Sequence, residues 1–265
     1  ATIRVPIPSL FAFTTASTGL LSANWTASTP PGESYLFRVS TASNMSGTLT
    51  STDTVNTYGT VGLIAPLSVN TTYYGHVATV INGTTWTFTT AVATATLADV
   101  PVTVASTWTA VNFTSVTVTW TRGNNPASVT QYEVQLSSVS DFSSAVLTQS
   151  ALSPLNSAFI GLIPDVDYYS RVRAINHSGI PTSFLVLGST RTVKTPAPTN
   201  VVYSVASTDT LTATWITINP TADTYTLQVS TANDFSGTLT SSTTVVPPST
   251  VGLLTPLSIN TTYYG

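Results

Sequence analysis

Tryptophan recurs in this chain at Trp25, Trp120 and Trp215, twice at an interval of 95 residues. The same interval links Leu67, Leu162 and Leu257, and then Tyr73, Tyr168 and Tyr263. It also links Pro6, Pro101 and Pro196, and the aromatic column Phe13, Trp108 and Tyr203. Columns that keep one period make each repeat a folding unit stacked on the next. Between them the spacing drifts: Tyr35, Tyr132 and Tyr225 are 97 and then 93 residues apart, so loops have changed length while a frame held. Taking the prolines as boundaries gives modules at 6–100, 101–195 and 196–265, with residues 1–5 matching the end of a preceding module's last strand. Gly265 aligns with Gly75 and Ser170, so the third module is expected to lack most of its sixth strand and part of its seventh. Two readings of that edge stand side by side: further repeats follow, or another chain donates the strands head to tail. Residues 1–5 would reach only the end of the missing strand.

Each unit reads as all-β. "LSANWTA", "VTVTWTR" and "LTATWIT" alternate apolar and polar residues with the tryptophan facing inward, and "YLFRVS", "YEVQLS" and "YTLQVS" repeat the alternation. Threonine, valine and tyrosine, all good strand formers, dominate. Turn signals fall between the strands at Asn82-Gly83, Pro30-Pro31-Gly32 and Arg122 to Pro126. No window carries a 3.6-residue apolar stripe, so almost no helix is expected. About seven short strands per module, in a chain with no cysteine, indicate tandem Ig-like sandwiches of the kind that lacks a disulfide.

A tryptophan on the second strand, a tyrosine opening the third and a leucine six residues before a later tyrosine resemble fibronectin type III domains. The second module is the nearest match: Leu162-Ile163-Pro164 leads into "YYSRVRAINHSG", which looks like the family's leucine-proline corner and following strand. The first and third modules read "PLSVNTTYYG" and "PLSINTTYYG", placing Val69 or Ile259 where the family has proline. The resemblance implies a structural core of Trp25, Trp120, Trp215, Leu67, Leu162, Leu257, Tyr73, Tyr168 and Tyr263. A tyrosine at such a corner buries its ring and returns its hydroxyl to nearby backbone.

Composition removes several functions. Charged residues are only 6%, the net charge is -3 and Lys194 is the sole lysine. The arginines are scattered, so there is no electrostatic footprint for nucleic acid. Without cysteine there is no thiol catalysis and no zinc site of the cysteine type. No apolar run approaches the roughly 20 residues of a membrane-spanning helix. Serine and threonine, about a third of the chain, make the surface polar through hydroxyls.

Catalysis needs convergent acids, bases or nucleophiles, and none is expected here, nor a cofactor or metal. His177 falls in the turn after the sixth strand and His76 on the equivalent strand of the first module, both at solvated or edge positions, and His177-Ser178 has no placed carboxylate. Asp165 and Asp167 flank Val166 in a corner loop; a calcium role competes there with ordinary turn hydrogen bonding. Their period partners are Asn70/Thr72 and Asn260/Thr262, so the charge is not a repeated feature. Arg-Gly-Asp does not occur. Trp86, outside the tryptophan column, is a possible contact residue if exposed, or packs with Phe88. Sequons make Asn44, Asn70, Asn82, Asn112, Asn176 and Asn260 possible glycan acceptors; Asn24, inside a core strand, is a poor one.

The expected function is a non-catalytic structural or adhesive component of an extracellular filament, stalk or cell-surface coat of a microbial kind. Its partners would be further repeats or copies of itself, with a glycan or surface protein as a possible ligand. The alternative is a set of carbohydrate- or protein-binding or spacer modules attached to a larger secreted enzyme.

Overall fold

The computed structural model describes residues 6–53, 61–217, 224–244 and 251–265. Residues 1–5 lie outside this set. Two compact units are present, Ala1–Thr192 and Val193–Gly265. The described residues are strands, turns and loops, without helix.

The first module holds β1 (Ser9–Ala16), β2 (Leu21–Thr26), β3 (Ser34–Ser40), β4 (Leu49–Asp53), β5 (Val61–Ile64), β6 (Thr72–Ile81), β7 (Thr84–Phe88) and β8 (Val92–Ala95). One sheet has the order β1-β2-β5; the other runs β4-β3-β6-β7, with β8 pairing the opposite end of β6. The second module holds β9 (Trp108–Val111), β10 (Ser115–Thr119), β11 (Gln131–Ser137), β12 (Val146–Leu152), β13 (Asn156–Ile160), β14 (Asp167–Ile175) and β15 (Leu185–Arg191). Its sheets are β13-β10-β9 and β12-β11-β14-β15, the same plan. All named pairings are antiparallel, so each sheet can pack one face on the core and leave the other to solvent.

The second unit holds β16 (Thr199–Ala206), β17 (Leu211–Ile216), β18 (Tyr225–Ser230), β19 (Leu239–Thr244) and β20 (Val251–Leu254). Its three-stranded sheet, β16-β17-β20, repeats the plan; the facing sheet has β18-β19 alone. On the other edge of β18 Ser230 pairs with Tyr264 through two backbone hydrogen bonds of 2.8 Å, the rung that Ser40 and Tyr74 make in the first module. Beyond it lies a cleft of about 410 Å³ lined by Tyr203, Trp215, Tyr225 and Leu227, where β6 and β14 lie in the other modules.

Burial follows the alternation. Each column tryptophan meets the tyrosine that opens the third strand: Trp25 and Tyr35 ring centroids are 5.8 Å apart, Trp120 and Tyr132 5.7 Å, Trp215 and Tyr225 5.4 Å. Leu162 is buried, while Leu67 and Leu257 are partly buried against their own cores. The corner tyrosines tie down their loops: Tyr73 accepts Ser68 N–H at 2.9 Å, Tyr168 accepts Ile163 N–H at 3.1 Å, and Tyr263 accepts Ser258 N–H at 2.8 Å.

Small residues accompany the bulkiest core side chains. A Cβ on Gly62 would come within 2.7 Å of Phe37, and one on Gly75 within 2.4 Å of Phe13. The second module has Val134 where the first has Phe37, and there Ser157 takes the place of Gly62. Volume is exchanged across the sandwich, as close packing requires.

Candidate functional site

The most elaborate polar construction is the joint between the first two modules. Asn70 sits in the corner loop before β6 with φ of 44°, a left-handed turn that asparagine tolerates. Its side chain is fully buried. Nδ2 donates to Thr130 Oγ1 at 2.9 Å, and Oδ1 accepts His177 N–H at 3.0 Å, both partners being in the second module. From the other side Asn176 Nδ2 donates to the Thr96 carbonyl at 3.2 Å, while its Oδ1 accepts the N–H groups of Ser178 and Ile180. Thr72 Oγ1 lies 3.1 Å from His177 Nδ1. A second strap holds the connecting segment: Asp99 N–H donates to Asn125 Oδ1 at 2.9 Å, and Asn125 Nδ2 returns to the Asp99 carbonyl at 2.7 Å. Ala98 belongs to the second module's core. Buried amides whose nitrogen and oxygen are both hydrogen-bonded favour one geometry, because another arrangement would leave them unsatisfied.

This changes how four sequence expectations read. Asn70 and Asn176 are buried and committed across the joint, so neither is an accessible glycan acceptor. His177 is a joint residue rather than a merely solvated one. Asp165, one period after Asn70, shares its left-handed backbone but is ion-paired within its own module: Arg191 Nε donates to its carboxylate at 2.8 Å, and Arg191 also lies 3.9 Å from Asp167. Both carboxylates thus face Arg191, and among the described residues no group of three or more His, Asp or Glu could hold a metal ion. The pair is exposed and is worth at most about 1 kcal/mol.

Asn44, Asn82, Asn112 and Asn260 are exposed. Asn44 accepts Ser46 N–H at 3.1 Å, as Asp141 and Asp234 accept Ser143 and Ser236 in the matching turns; those hydrogen bonds hold both carboxyls below the usual range.

Cations lie against aromatic rings on the outer sheet faces. In the second module Arg171 sits between Phe142 and Phe184, at 4.1 and 4.2 Å from the ring centroids, and Arg173 joins Phe184 at 4.4 Å. Gln135 and Glu133 accept from Arg171 and Arg173 at 2.8 and 3.0 Å. In the first module Phe88 stacks on His76 at 3.9 Å with Arg38 above it. Phe88 thus packs with a histidine from the neighbouring strand. Trp86 is half-buried and its indole N–H is closed off from solvent, a poor arrangement for a contact residue.

His76 is therefore not a solvated edge residue. Burial, and secondly the Arg38 charge, lower its pKa to about 4. An unfolded chain takes up that proton below about pH 6.5, whereas the fold resists it until about pH 4, so this contribution to stability is lost as pH falls across that window. The first module is expected to lose stability between pH 6.5 and 4.5 more steeply in the wild type than in His76→Gln. A His76 NMR titration with a midpoint near 6.5 would contradict the assignment.

No protein-family model and no curated protein matches the chain. Among solved structures it is similar to a two-domain fibronectin type III segment of chicken tenascin, at 16% identity and a TM-score of 0.47, over 70% of this chain and 99% of that one. It is also similar to the FN1–FN3 domains of chicken CNTN1, at 15% identity and a TM-score of 0.34, over 98% and 91%. The FN5 domain of Drosophila Lar matches at 14% identity and a TM-score of 0.30, over 36% and 99%. Among the described residues no helix is long and apolar enough to cross a membrane. With two antiparallel sheets face to face, a tryptophan column between them and a hydrogen-bonded tyrosine at each corner, the chain has an all-β fold of tandem sandwiches of the fibronectin type III kind.

Proposed function

We propose that the chain is a non-catalytic structural or adhesive element of an extracellular filament, stalk or surface coat. The joint carries this reading: two modules are locked end to end by buried side chains with no flexible linker between them. A loosely strung set of binding modules has no need of such a lock, whereas a load-bearing or spacing element does. The sheet edges support lateral contact. Strands β1, β4, β9, β12, β16 and β19 carry no lysine or arginine, the usual guards of an edge, and β4, β12 and β19 each expose a leucine, at Leu49, Leu147 and Leu239.

Electron microscopy and sedimentation of the protein at rising concentration test the proposal. Laterally or longitudinally ordered rods are expected, with lysine placed at Leu49 and Leu147 suppressing lateral contacts. Isolated particles at every concentration would count against assembly.

A further inference from the structure

The loop between Trp120 and Tyr132 is two residues longer than its counterpart between Trp25 and Tyr35. In the first module the shorter loop closes over the tyrosine, whose hydroxyl accepts the N–H groups of Ser28 and Gly32 at 3.2 and 3.3 Å. In the second module the Tyr132 hydroxyl is buried beside the Thr130 hydroxyl and makes no well-formed hydrogen bond. The neighbouring Thr130 hydroxyl is already engaged, donating to the Pro126 carbonyl and accepting from Asn70. Between this loop and the turn joining β12 to β13 lies a cavity of about 450 Å³, a size suited to a small ligand. Its lining includes Arg122, Pro126, Ser128, Tyr132, Ser153 and Pro154.

Among the described residues, Arg122 is the arginine whose guanidinium remains unspent. Arg38 lies over Phe88, Arg171 and Arg173 are held by Phe184, Gln135 and Glu133, and Arg191 is paired with Asp165. Arg122 stands exposed at the cavity, close enough for its charge to act on the Tyr132 hydroxyl, whose pKa burial pushes upward while Arg122 and the Thr130 hydroxyl pull it back. A guanidinium selects a carboxylate by paired N–H donation. Two serine hydroxyls, with proline rings beside them, suit a polyol with an apolar C–H face. An extended peptide would instead require a strand edge or a backbone nest.

We propose that this cavity binds a carboxylate-bearing sugar of the hexuronate class. Arg122 pairs with the carboxylate, Ser128 and Ser153 meet ring hydroxyls, and the Tyr132 hydroxyl meets the sugar at the inner wall. The site is independent of whether the chain assembles into filaments.

The test is an NMR titration of the whole chain with D-glucuronate, with D-glucose and N-acetylalanine as controls. Saturable shifts confined to the loops around 122–130 and 153–155 are expected with glucuronate and not with glucose. Arg122→Gln, on an exposed loop, is expected to keep the wild-type melting temperature and weaken binding by roughly tenfold or more. Tyr132→Phe should weaken it several-fold. Absence of saturable shifts, equal binding of glucose, or undiminished affinity in Arg122→Gln would overturn the proposal. Binding of N-acetylalanine in preference to glucuronate would overturn it in favour of a peptide carboxylate.

Discussion

Trp120→Ala is expected to destabilise the second module by about 3–5 kcal/mol, most of what a domain of this size possesses. Trp120 is 1% exposed, among the largest fully buried side chains, and its ring meets Tyr132 edge-on. Burying such a ring is worth roughly 4–6 kcal/mol at about 25 cal/mol/Å², and the void left beside Val134, Leu136 and Phe159 cannot close without moving both sheets. The indole N–H does none of this: it is buried without a partner, as are those of Trp25 and Trp215. Trp120→Phe should therefore cost markedly less than Trp120→Ala, because it keeps most of the ring and removes an unsatisfied donor. Urea melts followed by circular dichroism distinguish the two. An alanine variant that melts with the wild type would show that the sheets are not held apart by this ring.

The second large effect concerns the joint. Asn70→Ala removes one acceptor and one donor from a fully buried position, leaving the His177 N–H without its acceptor and the Thr130 hydroxyl, which still donates to the Pro126 carbonyl, without its donor. Each buried polar group left unpaired costs about 1–3 kcal/mol. The cost falls on the contact between modules rather than on either core. In calorimetry the first two modules of the wild type are expected to melt as one cooperative transition, and Asn70→Ala to split it in two. Asn70→Asp is expected to be no better than alanine: a buried carboxylate keeps the acceptor for His177 but loses the donor to Thr130. A single unchanged transition in both variants would mean that the modules are coupled by something else.

How far this could be read from the residues depended on whether the signal was periodic. The tryptophan, leucine and tyrosine columns are visible because each module solves the same packing problem, with an inward residue at every second strand position. The joint is not visible in that way. Asn70 meets Thr130 and His177 only after two sandwiches have formed, and the sequon around each asparagine suggests a surface where the structure has an interior. A weaker signal is present: positions 70, 165 and 260 hold asparagine, aspartate and asparagine, and all three adopt positive φ, of 44°, 59° and 53°. That column marks a left-handed turn, but not what the side chain does beyond it. The same limit hid the stacks. Phe142, Arg171 and Phe184 lie on separate segments, and only the antiparallel register and an intervening turn bring the rings to either face of one guanidinium. The Tyr132 cavity arises where the modules differ, in a loop whose extra length breaks the period and so carries no repeated signal.

The central claim is that the first two modules form one rigid body held by Asn70 and Asn176. Residual dipolar couplings measured on the whole chain test it most directly. One alignment tensor should fit the amides of β1–β8 and β9–β15 together in the wild type, and Asn70→Ala should require two. Two tensors of different magnitude or orientation in the wild type would contradict the lock.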